Sequence, residues 1–203
     1  SYHQLTKRER GFSFSKEAPL DMRFNMDADF SAYDVVNKYS ENDLVRIFSE
    51  YGEERFSKRI AKAIVEKRRI EPIRTTKELA DLIVKATPHI NSRIHPATRV
   101  FQAIRIEVNN ELKNVNMVLH DILDLLDNGA IVSVISFHSL EDRIVKQIFK
   151  FESQKCRCNE MICKCEPPKI ELVNRKPIMA SEKEILENPP SRSAKLRVVR
   201  AIR

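Results

Sequence analysis

Two groups of residues in this 203-residue chain combine side-chain type and spacing in a way that permits chemistry. The first is Ile135-Ser136-Phe137-His138-Ser139-Leu140-Glu141-Asp142, where an apolar, β-branched stretch gives way to hydroxyls, an imidazole and two carboxylates. If that stretch is a strand of an open α/β sheet, its polar residues stand at the carboxyl end, where such sheets bind ligands. His138 can accept or donate a proton there, or orient an RNA or substrate group. The structural alternative is equally open: Ser136, Ser139 and Asp142 cap a helix and His138 only packs. A serine–histidine hydrolase is a poor fit, because no G-x-S-x-G elbow exists in the chain.

The second group is Cys156-x-Cys158 with Cys163-x-Cys165. Four thiolates can enclose a tetrahedral zinc, and closely spaced ligand pairs on one short loop permit it. The C-x-C step is tighter than the usual zinc knuckle, and no histidine joins the set. Disulfides are the second option, disfavoured in a reducing compartment, and plain reduced thiols the third. Two weaker signals stand apart. Asp21 and Arg23, just past Pro19, can pair with each other or contact a substrate. The knot His95-Pro96-Ala97-Thr98-Arg99 places Arg99 and Arg105 on an otherwise apolar helix face, where an arginine needs a partner.

Composition limits what these groups can belong to. With 42% hydrophobic residues the chain can bury a core, and its length suits one domain with a sizeable insertion. Gly11, Gly52 and Gly129 stand far apart, so neither a G-x-G-x-x-G turn nor a Walker loop can be written. No apolar run approaches the ~20 residues of a membrane helix, and a soluble, cytoplasmic protein without a membrane partner is expected. The net charge of +7 is uneven: from Leu140 onward 15 basic residues face 9 acidic ones, and Glu54–Arg74 holds eight against three. Such excess is the footprint of a polyanion-binding surface, or else an ordinary solvated helix face with a basic tail.

The elements that must position these groups follow from periodicity. Residues 1–29 mix aromatics and charge without period and read as a loop that lines a site rather than builds a core. From Ser31 to about Leu126 the pattern is helical, with Ser31, Ser40 and Thr75 or Thr76 as N-caps, Gly52 as a stop, and Pro72 and Pro88 beyond helix ends. Pro96 opens a long apolar pattern to Leu126, either one bent helix or two, closed by Asn128-Gly129. Ala130–Ser136 reads as a buried strand. A helix follows, its capping-box spacing placed at Ser139–Asp142. Strands near Lys169–Val173 and Lys195–Ile202 flank a short helix near Ser181–Glu187.

Taken in order, Arg10-Gly-Phe-Ser-Phe14, Pro19-Leu-Asp-Met-Arg23, Tyr51-Gly-Glu-Glu-Arg-Phe56, His95-Pro-Ala-Thr-Arg99 with Phe101-Gln-Ala103, Ser136-Phe-His-Ser-Leu-Glu-Asp-Arg143, the cysteine cluster and Arg192-Ser-Ala-Lys-Leu-Arg197 resemble the MraW/RsmH-type methyltransferases. The resemblance implies an α/β fold: the C-terminal part of a class I (Rossmann-like) methyltransferase sheet with an inserted all-helical domain. Residues 1–29 would be a loop segment near the cofactor and substrate, 30–107 the insertion, and 108–203 the rest of the methyltransferase domain. The implied activity is S-adenosylmethionine-dependent N4-methylation of a cytidine in the decoding region of 16S rRNA on the small ribosomal subunit.

On that resemblance Asp21, Ser136 and His138 are the candidate catalytic residues, and Gln4 with Ser1 the cofactor contacts. Arg23, Arg59, Arg68, Arg192 and Lys195 are candidates for RNA phosphates, and Cys156, Cys158, Cys163 and Cys165 for zinc. The family's glycine-bearing cofactor loop has no counterpart in these 203 residues, so the chain is expected to be a shortened form, inactive alone. A half-built sheet also leaves an edge on which a homodimer can form. The competing readings are a non-catalytic helical RNA- or ribosome-binding module and a small zinc-stabilised structural domain.

Overall fold

The computed structural model describes residues 10–15, 17–88, 94–156, 158 and 165–202. The chain divides into two compact units, Ser1–Glu111 and Leu112–Arg203, each with its own apolar core.

The first unit is built on helices α1 (Ala32–Lys38), α2 (Glu41–Glu50), α3 (Ser57–Ile70), α4 (Thr76–Ala86) and α5 (Ala97–Asn109). Their starts are set by local chemistry. Ser40 Oγ accepts the Asp43 N–H at 3.1 Å, and Ser31 N–H donates to the Asp34 carboxylate at 2.9 Å. Thr75 Oγ1 accepts from Glu78 N–H at 3.2 Å while the Glu78 carboxylate takes the Thr75 N–H at 3.0 Å, a reciprocal box. Apolar residues at three- and four-residue spacing then meet in one core: Leu44, Ile47 and Phe48 against Ile60, Ile64, Leu79, Ile83, Val100 and Ile104. Gly52 is required by close approach, since a Cβ there would lie 2.6 Å from Arg99 O and 2.7 Å from Phe48 O.

The opening loop departs from expectation. Leu20 and Met22 are 3% and 0% exposed and belong to this core, so the segment builds the helical unit as well as flanking it. Backbone hydrogen bonds hold it there: Leu20 N–H to Arg74 O at 3.1 Å, Thr76 N–H to Ala18 O at 2.9 Å, and Ala32 and Tyr33 N–H to Asp21 O and Leu20 O at 2.8 Å. A segment fixed by irregular backbone bonds shows no period in its side chains, which is why pattern reading missed it. The described part of residues 1–29 falls in the first compact unit, which runs to Glu111.

The long apolar pattern is two helices. Asn110 adopts the left-handed conformation at φ +50° after α5, and α6 (Glu111–Asp124) begins at once. The second unit continues through β1 (Ile131–Ser136), α7 (Ser139–Glu152), β2 (Ile170–Leu172), β3 (Ile178–Met179), α8 (Glu182–Glu187), a 3-10 turn (Pro189–Ser193) and β4 (Lys195–Ala201). All pairings among the described strands are antiparallel to β4: β1 from Ile131↔Arg200 to Ser136↔Lys195, with β2 and β3 on the other side of β4. Leu119 and Leu123 of α6 and Val145, Ile148 and Phe149 of α7 pack with Ile170 and Val199. Each such fully buried side chain contributes roughly 1.5–3 kcal/mol.

β1 is not the fully buried strand its sequence suggests. Val132 and Val134 pack on the core, but Ile131 and Ile135 on the opposite face are 52% and 58% exposed. A continuous apolar run does not reveal that only one face meets this unit's helices.

Candidate functional site

The densest polar arrangement of the second unit lies where β1 passes into α7. His138, rather than Ser139, is the N-cap of α7, in extended backbone geometry at φ −134° and ψ 163°. Its Nδ1 accepts the N–H of Glu141 at 3.4 Å. The Glu141 carboxylate reaches back to the N–H groups of Phe137 at 3.0 Å and His138 at 3.4 Å, completing a capping box one residue earlier than expected. Burial pushes the Glu141 carboxyl up, but the His138 ring and these two N–H groups outweigh it and hold it below its ordinary value.

This cap fixes the chemistry of the imidazole. With Nδ1 accepting, the neutral ring carries its proton on Nε2. Nε2 is buried and lies 3.3 Å from Glu141 Oε1, off the line of a hydrogen bond, so it makes none among the described residues. A buried donor without a partner at the carboxyl end of a strand is placed to meet a ligand. Beside it Phe137 is 54% exposed, an aromatic face at the same turn. Ser136 is 4% exposed, and its Oγ donates to Lys195 O at 3.5 Å, a long contact.

Asp142 does not cap α7. Its carboxylate joins α7 to β4, accepting from Arg197 Nε at 2.7 Å, Arg197 Nη2 at 3.2 Å and Lys195 Nζ at 3.3 Å. The Arg197 bond chiefly, against the opposing effect of burial, holds the Asp142 carboxyl below the usual carboxylate range. Lys195 is therefore engaged by Asp142 in this structure. Arg192 lies exposed on the 3-10 turn.

In the first unit Asp21 and Arg23 pair with each other. The guanidinium donates from Nε and Nη2 to the two Asp21 oxygens at 2.8 and 2.9 Å, and from Nη1 to Met26 O and Ala28 O at 3.2 and 2.5 Å. Arg23, above all, holds the Asp21 carboxyl below its usual value. Between them Met22 takes φ +57°, left-handed for a non-glycine residue. Arg68 donates to the carbonyls of Val36 and Tyr39, closing the end of α1, whereas Arg59 on α3 is exposed. Arg105 forms a two-bond pair with Glu111 at 2.8 and 3.0 Å. Arg99 donates to Glu53 O at 3.2 Å. His95 and Arg99 line a cleft of about 190 Å³ together with Arg55 and Phe56. The His95 ring stacks on Phe14 at 4.5 Å.

The sequence reading did not single out Glu141, Arg197 or Phe137 as site residues. An acid three positions after a strand-end histidine was the available signal for Glu141, and an exposed aromatic between polar residues the signal for Phe137. Cys156, Cys158 and Cys165 come together, their Sγ atoms all within 4.8 Å of one another. Ser1, Gln4 and Cys163 lie outside the described residues.

The second unit is mixed α/β, its described strands antiparallel, with a polar turn at the carboxyl end of β1; the family that the chain matches has a class I methyltransferase fold. Residues 1–202 match the MraW methylase family. The chain is 51% identical over 208 residues to the ribosomal RNA small subunit methyltransferase H of Clostridioides difficile (strain 630), covering all of this chain and 67% of that protein. It is 51% identical over 207 residues to the like-named protein of Ruminiclostridium cellulolyticum, and 53% identical over 207 residues to that of Geobacter sp. (strain M21). Each of those two alignments spans the whole chain and 66% of the relative. This chain belongs to the MraW methylase family, and it spans about two thirds of the length of the curated relatives it matches. No helix among the described residues is long and apolar enough to cross a membrane.

Proposed function

We propose that the protein transfers the methyl group of S-adenosylmethionine to N4 of a cytidine in the decoding region of 16S rRNA, acting on small ribosomal subunits in the cytoplasm. The observation that carries this reading is the capped His138, whose buried Nε2–H, at the carboxyl end of β1, makes no hydrogen bond among the described residues. The relatives, each named ribosomal RNA small subunit methyltransferase H, support the substrate class.

Cytosine N4 is a poor nucleophile because its lone pair is delocalised into the ring, so the reaction depends mostly on positioning. S-adenosylmethionine, when bound, supplies an electrophilic methyl on its sulfonium. As N4 takes the methyl group it gives up a proton, which needs an acceptor. His138 is not that acceptor in its capped form, since Nδ1 is already accepting and Nε2 carries the proton. It donates instead toward a cytosine ring acceptor, N3 or O2, and orients the base, while Phe137 offers a face for stacking. The Asp21 carboxylate, a candidate by resemblance, is the proposed proton acceptor, and Ser136 Oγ is proposed only as a hydrogen-bond partner for the amino group. The described residues fit recognition of a planar base, and the cofactor contacts assigned by resemblance, Gln4 and Ser1, lie outside them. Arg59 and Arg192, both exposed, are proposed to meet phosphates, giving binding that weakens with added salt.

The test is methyl transfer from labelled S-adenosylmethionine to small ribosomal subunits, followed by nucleoside analysis. Residues 1–203 are assayed beside protein extended to the length of the relatives. The segment alone holds no glycine-rich cofactor loop and is expected to be inactive; the extended protein is expected to produce N4-methylcytidine. His138→Asn keeps a good N-cap but removes Nε2, so it should leave folding intact and lower the rate by at least about tenfold. Binding without label in either form would favour the non-catalytic RNA-binding module.

A further inference from the structure

We propose that Cys156, Cys158 and Cys165 form a mononuclear zinc site that pins the loop between α7 and β2. The three Sγ atoms lie within 4.8 Å of one another, and those of Cys156 and Cys158 are 3.8 Å apart. Thiolates about 2.3 Å from a tetrahedral zinc stand about 3.8 Å from each other, so this pair already has the spacing of two zinc ligands. A disulfide would need about 2.05 Å. An iron–sulfur cluster places its third thiolate on a second iron, farther away than 4.8 Å allows. Three converging thiols suit zinc among the thiophilic metals.

The surroundings agree with a structural metal. The loop leaves α7 at Glu152 and returns where Lys169 N–H donates to Glu152 O at 3.1 Å, so its base is closed by the backbone. A cross-link from Cys156 and Cys158 to Cys165 offsets the loop-closure entropy of that excursion. Lys155, Arg157 and Lys164 interleave with the cysteines in sequence, a charge pattern that suits anionic thiolate ligands. Cys163 lies outside the described residues, and the site as proposed stands on the other three. The inference does not depend on the methyl-transfer reading.

The test begins with elemental analysis of the purified protein under reducing conditions, with about one zinc per chain expected. Cobalt replacement should give the intense visible bands of tetrahedral cobalt and near-ultraviolet thiolate charge transfer. Cys156→Ser/Cys158→Ser should retain less than about a tenth of the zinc and lose the charge-transfer band. If that variant fails to fold, the wild-type protein answers the question: a chelator should release the zinc and speed thiol labelling, and added zinc should reverse both. Zinc-free protein that takes up cobalt only as a pale octahedral species would overturn the proposal. A mass lower by two hydrogens, marking a disulfide, or a brown iron chromophore would overturn it as well.

Discussion

Deleting the Asp142 carboxylate tests how the second unit holds its strand-to-helix junction in place. Asp142 and Arg197 keep only 12% and 11% of their side-chain surface in water, and they share bonds of 2.7 and 3.2 Å. Removing one member of such a pair leaves the other charge desolvated, a loss of about 3–5 kcal/mol for a fully buried pair. Residual solvent access and the more exposed Lys195 bring the expected cost of Asp142→Ala to about 2–4 kcal/mol. With an m-value of about 2 kcal/mol/M, a 3 kcal/mol loss lowers the urea midpoint by about 1.5 M without changing the slope. Asp142→Leu/Arg197→Met, which removes both charges, should cost less than either single change.

The pH dependence has a defined sign. The Asp142 carboxyl is held below 3.8 in the folded protein, so its contribution is present above that value. It is lost as pH falls through the lower folded value, and the gap between wild type and Asp142→Ala should close there. A single variant within about 0.5 kcal/mol of wild type, or a double variant costing the sum of the singles, would refute the reasoning.

Four further outcomes are expected. Gly11→Ala should lower the melting temperature by several degrees, since a Cβ at this φ of +69° would sit 2.2 Å from Pro19 O; an unchanged melt would contradict the fold of the opening loop. Arg68→Ala should cost about 1–3 kcal/mol in denaturant, because it strips two carbonyls at the end of α1 of their donor. Arg59→Ala and Arg192→Ala should instead leave stability within about 0.5 kcal/mol and reduce the salt slope of RNA binding by about one each; filter binding across ionic strengths separates the two classes. Phe137→Ala, at a 54% exposed side chain, should spare the melt but weaken methyl transfer to small subunits, and equal activity would remove the aromatic from the site.

Local chemistry made much of this protein legible. Ser40 and Thr75 cap the helices their sequence marks, the apolar stripes of α2 to α5 meet as their spacing requires, and the Ser136–Asp142 run does join a strand to a helix. These are short-range effects, decided by which side chain can reach a backbone N–H three residues away or share a helix face. Long-range contacts decided the rest. Asp142 finds Arg197 across the chain, Arg68 closes a helix other than its own, and Leu20 with Met22 enters a core through backbone bonds to residues 74–76 and the start of α1. Whether a histidine packs or caps depends on where its ring is turned. For His138 the capping box with Glu141 turned Nδ1 onto the helix and left Nε2 without a hydrogen bond among the described residues. Sequence alone determined the family, the Ser40 and Thr75 caps and the strand-to-helix turn at Ser136–Asp142. Only the tertiary structure decided which charges neutralise each other and which polar atoms stay available, because that depends on partners brought together from distant parts of the chain.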